Sequence, residues 1–177
     1  MRIIVDMDEV LADTYHKLEE RYASEFGRRA TAEELNGKKV YDLPGAKHLR
    51  DTLYEPGFFR DLPVMDNAVE VMEQLYAKHE VFIVTSSTEF KYSMLDKWEW
   101  LEEHFPFIDH RRMVFCGSKT IVYGDYMIDD KASNLRPFNG TGLLFTAPHN
   151  VEEDNFDRVD NWLEVGGYFE QIEGQEW

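Results

Sequence analysis

The opening stretch Met1-Arg2-Ile3-Ile4-Val5-Asp6-Met7-Asp8 decides the fold. Ile3, Ile4 and Val5 form a short, uninterrupted apolar run that stops on Asp6. Such a run reads as a strand buried on both faces, which is the signature of a parallel sheet. The same grammar recurs downstream. Val81-Phe82-Ile83-Val84 ends at Thr85-Ser86-Ser87, Met113-Val114-Phe115 is followed by Lys119, Tyr126-Met127-Ile128 ends at Asp129-Asp130, and Gly142-Leu143-Leu144-Phe145 supplies a fifth strand.

Helical spacing separates these runs. Leu11, Tyr15, Leu18, Tyr22 and Phe26 predict a helix over 10–26, and Ala68, Val71, Met72 and Leu75 predict another after Pro63. Phe90, Met94, Trp98, Leu101 and Phe105 suggest a third, stopped by Pro106. Val159, Trp162, Leu163 and Tyr168 are assigned to a C-terminal helix. Strands alternating with helices imply an α/β fold with a doubly wound, mostly parallel, Rossmann-like sheet. Residues 27–63 are broken by Gly37, Pro44, Gly45, Pro56, Gly57 and Pro63. They read as a small helical cap inserted into a single domain whose core is 1–26 and 64–177.

Composition narrows the function. The 177 residues carry a formal net charge of −16, which repels polyphosphate backbones and disfavours nucleic-acid polymers. No apolar run approaches the ~20 residues of a membrane span. Cys116 is the single cysteine, so no internal disulfide forms, and a soluble cytoplasmic protein is expected. Trp98, Trp100, Phe105 and Phe107 are read as core aromatics.

In a doubly wound sheet, ligands bind beyond the carboxyl ends of the strands. The strand ends here would gather Asp6, Asp8, Asp129 and Asp130, the hydroxyls of Thr85 and Ser86, and Lys119 on one rim. Clustered carboxylates raise one another's pKa unless a cation lies among them, and hard oxygens suit Mg²⁺. Lys119 and a metal would neutralise a phosphoryl group, while Thr85 and Ser86 donate to its oxygens. The Asp-x-Asp spacing lets Asp6 and Asp8 face the same way, one as nucleophile and one as acid/base. Taken singly, each element has a blander reading: a solvated lysine, a helix cap or a turn. Their order at successive strand ends is what points to a site.

That order resembles the haloacid-dehalogenase-like hydrolases, and within them the 5'(3')-deoxyribonucleotidases. The resemblance runs from residue 2 to about 150, through Asp6-Met7-Asp8-Glu9-Val10-Leu11-Ala12-Asp13, Pro56-Gly57-Phe58-Phe59, Phe90-Lys91-Tyr92, Lys119-Thr120 and Met127-Ile128-Asp129-Asp130-Lys131, with His149-Asn150 near its end. It implies a Mg²⁺-dependent hydrolase of small phosphomonoesters such as nucleoside monophosphates, working through an aspartyl-phosphate on Asp6, and a homodimer. Asp6 and Asp130 would bind the metal directly, Asp8 through its backbone carbonyl, and Asp129 mainly through water. Thr85, Ser86 and Lys119 would hold the phosphoryl group.

The departures lie at the substrate. The resemblance places Gly where this chain has Glu9, and pocket aromatics where it has Thr14, Lys38 and Lys39; Tyr54 would keep one aromatic wall. A weakened base pocket is therefore expected. A phosphatase for another small phosphomonoester, a phosphotransferase, a receiver-like signalling module and a non-catalytic phosphate-binding protein stay open on the residues alone.

Overall fold

The computed structural model describes residues 1–174; residues 175–177 of the expected core lie outside the described residues. Six strands form one parallel sheet in the order β3-β2-β1-β4-β5-β6. They are β1 (Arg2–Val5), β2 (Glu80–Ser86), β3 (Met113–Cys116), β4 (Tyr126–Asp129), β5 (Thr141–Phe145) and β6 (Asp157–Val159). The sheet is the expected doubly wound, Rossmann-like α/β architecture. β1 lies at its centre, Ile4 paired with Phe82 on one side and Met127 on the other.

The apolar runs pack on both faces, as a central parallel strand requires. Ile3 and Val5 point into the larger core, whereas Ile4 joins Val84, Met127 and Leu144 on the opposite face. The helices α1 (Thr14–Phe26), α2 (Ala32–Leu35), α3 (Ala68–Lys78), α4 (Ser93–His104), α5 (Ala132–Leu135) and α6 (Trp162–Glu173) connect and cover the strands. No helix among the described residues is long and apolar enough to cross a membrane.

Three sequence expectations are corrected. The first helix begins at Thr14, not near residue 10, because residues 6–13 form a tight loop. Val159 belongs to β6 rather than the last helix: its backbone pairs with Phe145, and Asn161 caps α6 just beyond it. In α4 the buried face is Ser93, Asp96, Lys97, Trp100 and Leu101, so Met94 is exposed and Trp98 only half-buried. The apolar stripe there misled because a polar group, Lys97, occupies the inward register. Trp100 and Phe105 are core residues as expected.

Segment 27–63 contains α2 and two 3₁₀ turns, Val40–Asp42 and Lys47–Tyr54, which pack against α1. The chain returns to the sheet through Pro56-Gly57-Phe58-Phe59. Gly57 turns there at φ +82°; its N–H donates to Asp96 (2.9 Å) and Lys17 Nζ donates to the Phe58 carbonyl (2.8 Å).

Candidate active site

The loop after β1 is fixed by its own backbone. The Met7 carbonyl accepts from the N–H groups of Leu11 (2.8 Å) and Ala12 (2.9 Å), and Trp162 Nε1 donates to the Val10 carbonyl (2.7 Å). Asp6 N donates to the Ile128 carbonyl, extending the β1–β4 pairing by one residue. Glu9 sits at φ +64°, a conformation glycine adopts without cost. Its side chain compensates locally: it accepts from Thr14 Oγ1 and, at 3.4 Å, from Tyr15 N at the start of α1. Asp13 is the N-cap of α1, accepting from His16 N (2.8 Å), and Glu9 buttresses the helix start beside it, a structural role for the carboxylate that departs from the resemblance.

Asp6, Asp8, Thr85, Ser86, Lys119, Asp129 and Asp130 all converge at the carboxyl edge of the sheet, but their surroundings differ. Lys119 Nζ is almost fully buried between Asp6 Oδ1 (2.7 Å) and Asp129 Oδ2 (2.6 Å). Burial works against its charge, yet these two carboxylates outweigh it and hold its pKa above the ordinary lysine value. Asp6 Oδ1 also accepts from Met7 N (2.7 Å), leaving Oδ2 without a protein donor. Burial raises the Asp6 pKa to about 7; Lys119 opposes the rise, and Asp129, Asp130 and Asp8 add to it.

Asp129 and Asp130 are neighbours in the chain with opposite fates. Both oxygens of Asp129 are satisfied, by Lys119, Lys131 N and Asn134 Nδ2. Both oxygens of Asp130 are buried and accept no hydrogen bond. Asp6, Asp129 and Asp130 bring carboxylate oxygens within 4.8 Å of one another. Unsatisfied buried carboxylate oxygens in such a group fit a hard divalent cation. The Asp8 side chain stands apart from this trio; its Oδ2 accepts from Lys97 Nζ (2.7 Å), and its Oδ1 is buried with no partner. Burial would raise Asp130, but His149, Lys39 and Lys131 hold its pKa below the usual carboxylate range.

Lys97 is the residue that sequence reasoning missed. Fully buried on α4, it donates to Asp8 Oδ2, to Thr85 Oγ1 (2.9 Å) and to the Ser86 carbonyl (3.1 Å), and lies over the Phe59 ring at 4.7 Å. The available signal was its spacing: Ser93, Lys97, Trp100 and Leu101 share one helix face, so an inward lysine needs partners. Because Thr85 Oγ1 accepts from Lys97, its single O–H is left to donate outward. Lys131, which follows the acidic pair, also lines the cleft.

The adjacent cleft is walled by Leu18, Tyr41, Leu53, Phe59 and Phe90, with Lys39, Arg50 and Lys131 as its cations. Thr14 and Lys39 line it, as expected. Lys38 is exposed and outside the lining; it contributes only a carbonyl that accepts from Tyr15 Oη (2.9 Å). Tyr54 is also exposed and outside the lining, stacked edge-on against Phe90 at 5.0 Å. Tyr41, Phe59 and Phe90 are the aromatic residues that line the cleft.

The family model for 5' nucleotidase, deoxy (pyrimidine), cytosolic type C protein matches residues 1–171. The chain belongs to this 5'(3')-deoxyribonucleotidase family. A Bacillus subtilis 5'(3')-deoxyribonucleotidase is 37% identical over 171 residues, covering 92% of this chain and 95% of that protein. A Staphylococcus epidermidis protein that provisionally carries the same name is 45% identical over 174 residues, 97% of each chain. In three dimensions the family's haloacid-dehalogenase-like fold is evident. A haloacid-dehalogenase-like hydrolase from Streptococcus pneumoniae superposes with a TM-score of 0.61 at 13% identity, over 95% of this chain and 97% of that one. Family and fold together make the chain a phosphomonoester hydrolase of the nucleotidase type.

Proposed function

We propose that the chain hydrolyses deoxynucleoside monophosphates in the cytoplasm, with Asp6 as nucleophile and Mg²⁺ as its metal. The observation that carries this reading is the contrast between the two oxygens of Asp6. Oδ1 is held by Met7 N and Lys119 while Oδ2 has no protein donor, and Asp6 shares a cluster of carboxylate oxygens within 4.8 Å with Asp130, whose oxygens are unsatisfied.

Asp6 Oδ2 attacks phosphorus, the P–O bond to the nucleoside breaks, and Asp8 protonates the departing oxygen. Lys97 occupies Asp8 Oδ2, so Oδ1 is the atom that carries this proton. Asp8 then takes a proton from water, the water oxygen attacks the aspartyl-phosphate, and Asp6 is regenerated with release of phosphate. Lys97, Lys119, the Thr85 hydroxyl and Ser86 surround the phosphoryl oxygens and stabilise their charge. Asp6, Asp130 and the backbone carbonyl of Asp8 would hold Mg²⁺, with Asp129 acting through water and by positioning Lys119. When bound, the cation neutralises phosphoryl charge as a Lewis acid.

Segment 27–63 serves as the cap. Tyr41 and Phe59, with Phe90 from the core, offer flat faces for a nucleobase, a contact worth about 1–3 kcal/mol per base. A panel of phosphomonoesters with Mg²⁺ tests the substrate. Fastest phosphate release from deoxynucleoside monophosphates is expected; turnover of sugar phosphates with none of any nucleotide would overturn it.

A further inference from the structure

The hydrolytic reaction leaves a pair of side chains unexplained. His149 Nε2 lies 3.2 Å from Asp130 Oδ2. Its other ring nitrogen, Nδ1, lies 3.2 Å from the Tyr15 hydroxyl. Tyr15 in turn donates to the Lys38 carbonyl (2.9 Å), and its ring is parallel to the imidazole, 3° between planes with centroids 6.1 Å apart. We propose that His149 is a positioning residue for the metal ligand Asp130, itself held in orientation by Tyr15. The proposal rests on the metal-dependent reading above.

The geometry supports this assignment in three ways. First, Asp130 has no hydrogen-bond donor on either carboxylate oxygen, and Lys39 Nζ is more distant, at 4.0 Å. His149 is the nearer group: its Nε2, likewise buried without a hydrogen bond, approaches Asp130 Oδ2 as an ion-pair contact and leaves Oδ1 open. Second, the backbone carrying His149 is anchored to the backbone of Asp130. Asn150 Nδ2 donates to the Asp130 carbonyl (2.7 Å) and to the Phe145 carbonyl (2.8 Å), and Arg158 Nη1 donates to Asn150 Oδ1 (2.9 Å). Third, the chain of contacts crosses three parts of the fold: the turn after β5, the start of α1 and the cap segment at Lys38. Groups that orient a ligand from behind typically change metal affinity about 10–100-fold when removed.

Mn²⁺ titration followed by electron paramagnetic resonance tests this without any turnover. In His149→Ala the Kd for Mn²⁺ is expected to rise about 10–100-fold. Tyr15→Phe, which keeps the ring but loses the hydroxyl, is expected to raise it less, and His149→Gln to recover part of the loss. At saturating metal, kcat should return close to wild type in Tyr15→Phe. An unchanged Mn²⁺ Kd in a folded His149→Ala protein would overturn the proposal. Should that variant fail to fold, an unchanged Kd in Tyr15→Phe would do so. Wild-type protein that binds no Mn²⁺ and releases no phosphate would overturn the metal-dependent reading itself; wild type that binds and turns over, with variants that bind equally well, would overturn only this proposal.

Discussion

The rim of the sheet and segment 27–63, proposed above as the cap, are held in different ways. On the rim, Lys119 is clamped by two carboxylates, Lys97 by a carboxylate, a hydroxyl and a carbonyl, and Asp129 by three separate donors. On the cap side, Lys39 reaches Asp130 only at 4.0 Å, and Arg50 spans exposed Glu89 and Tyr54. The rim is preorganised for charge, so its groups need no rearrangement as phosphoryl charge develops. Segment 27–63 offers aromatic faces and the long cations Lys39 and Arg50 to the cleft, which suits recognition. Rim substitutions should therefore act on kcat, and cap substitutions on KM.

The largest expected effect is at Asp6. Asp6→Asn should lower kcat by about 10⁴-fold or more, since the nucleophile is lost while the shape is kept. Lys97→Met comes next, with an expected loss of about 10²–10³-fold in kcat, on the proposal that Lys97 and Lys119 both stabilise the phosphoryl charge. Steady-state kinetics at saturating Mg²⁺ measure both; a change confined to KM would erase the distinction between rim and cap.

pH sharpens the same contrast. The Asp6 pKa of about 7 in the metal-free protein means that a proton must leave before metal binds. Divalent affinity should fall as pH drops below 7, with proton release on binding near pH 6, both readable by calorimetry in two buffers. The sign for stability is the reverse of a salt-bridged aspartate. The native state keeps a proton that the unfolded chain gives up, so metal-free protein should lose stability as pH rises from the ordinary aspartate range through about 7. Stability that instead increased over that window would contradict the buried, crowded environment described for Asp6.

Smaller effects are expected on the cap. Tyr41→Ala should cost about 1–3 kcal/mol of substrate binding, expressed in KM with kcat little changed. Smallest is Glu9→Gly. It relieves a left-handed conformation costing roughly 1–2 kcal/mol and removes the hydrogen bond from Thr14 Oγ1, worth roughly 0.5–1.5 kcal/mol. Its thermal stability should stay close to wild type, with activity retained.

The same division explains what could be read from the sequence. Strands β1 to β5 were legible because apolar runs in a parallel sheet are continuous, and the site residues stood where those runs end. Strand β6 was not, because Asp157-Arg158-Val159 at the sheet edge has one apolar residue and borrows its identity from pairing with β5. Lys97 was hidden by a competing stripe of Met94 and Trp98, whose exposure only the tertiary packing sets. The pocket wall was the least legible part. Tyr41 and Phe90 lie far apart in sequence and meet only through the cap's irregular turns, for which no periodicity exists. Lys38 and Lys39 illustrate the limit: adjacent in the chain, one points to solvent and the other into the cleft.

The most direct measurement is an acid-quenched single turnover with a radiolabelled deoxynucleoside monophosphate and Mg²⁺, followed by peptide mapping. The account predicts transient label on the peptide containing Asp6, labile to base, and none in Asp6→Asn. Phosphate released at full rate with no label on the protein at any quench time would contradict it.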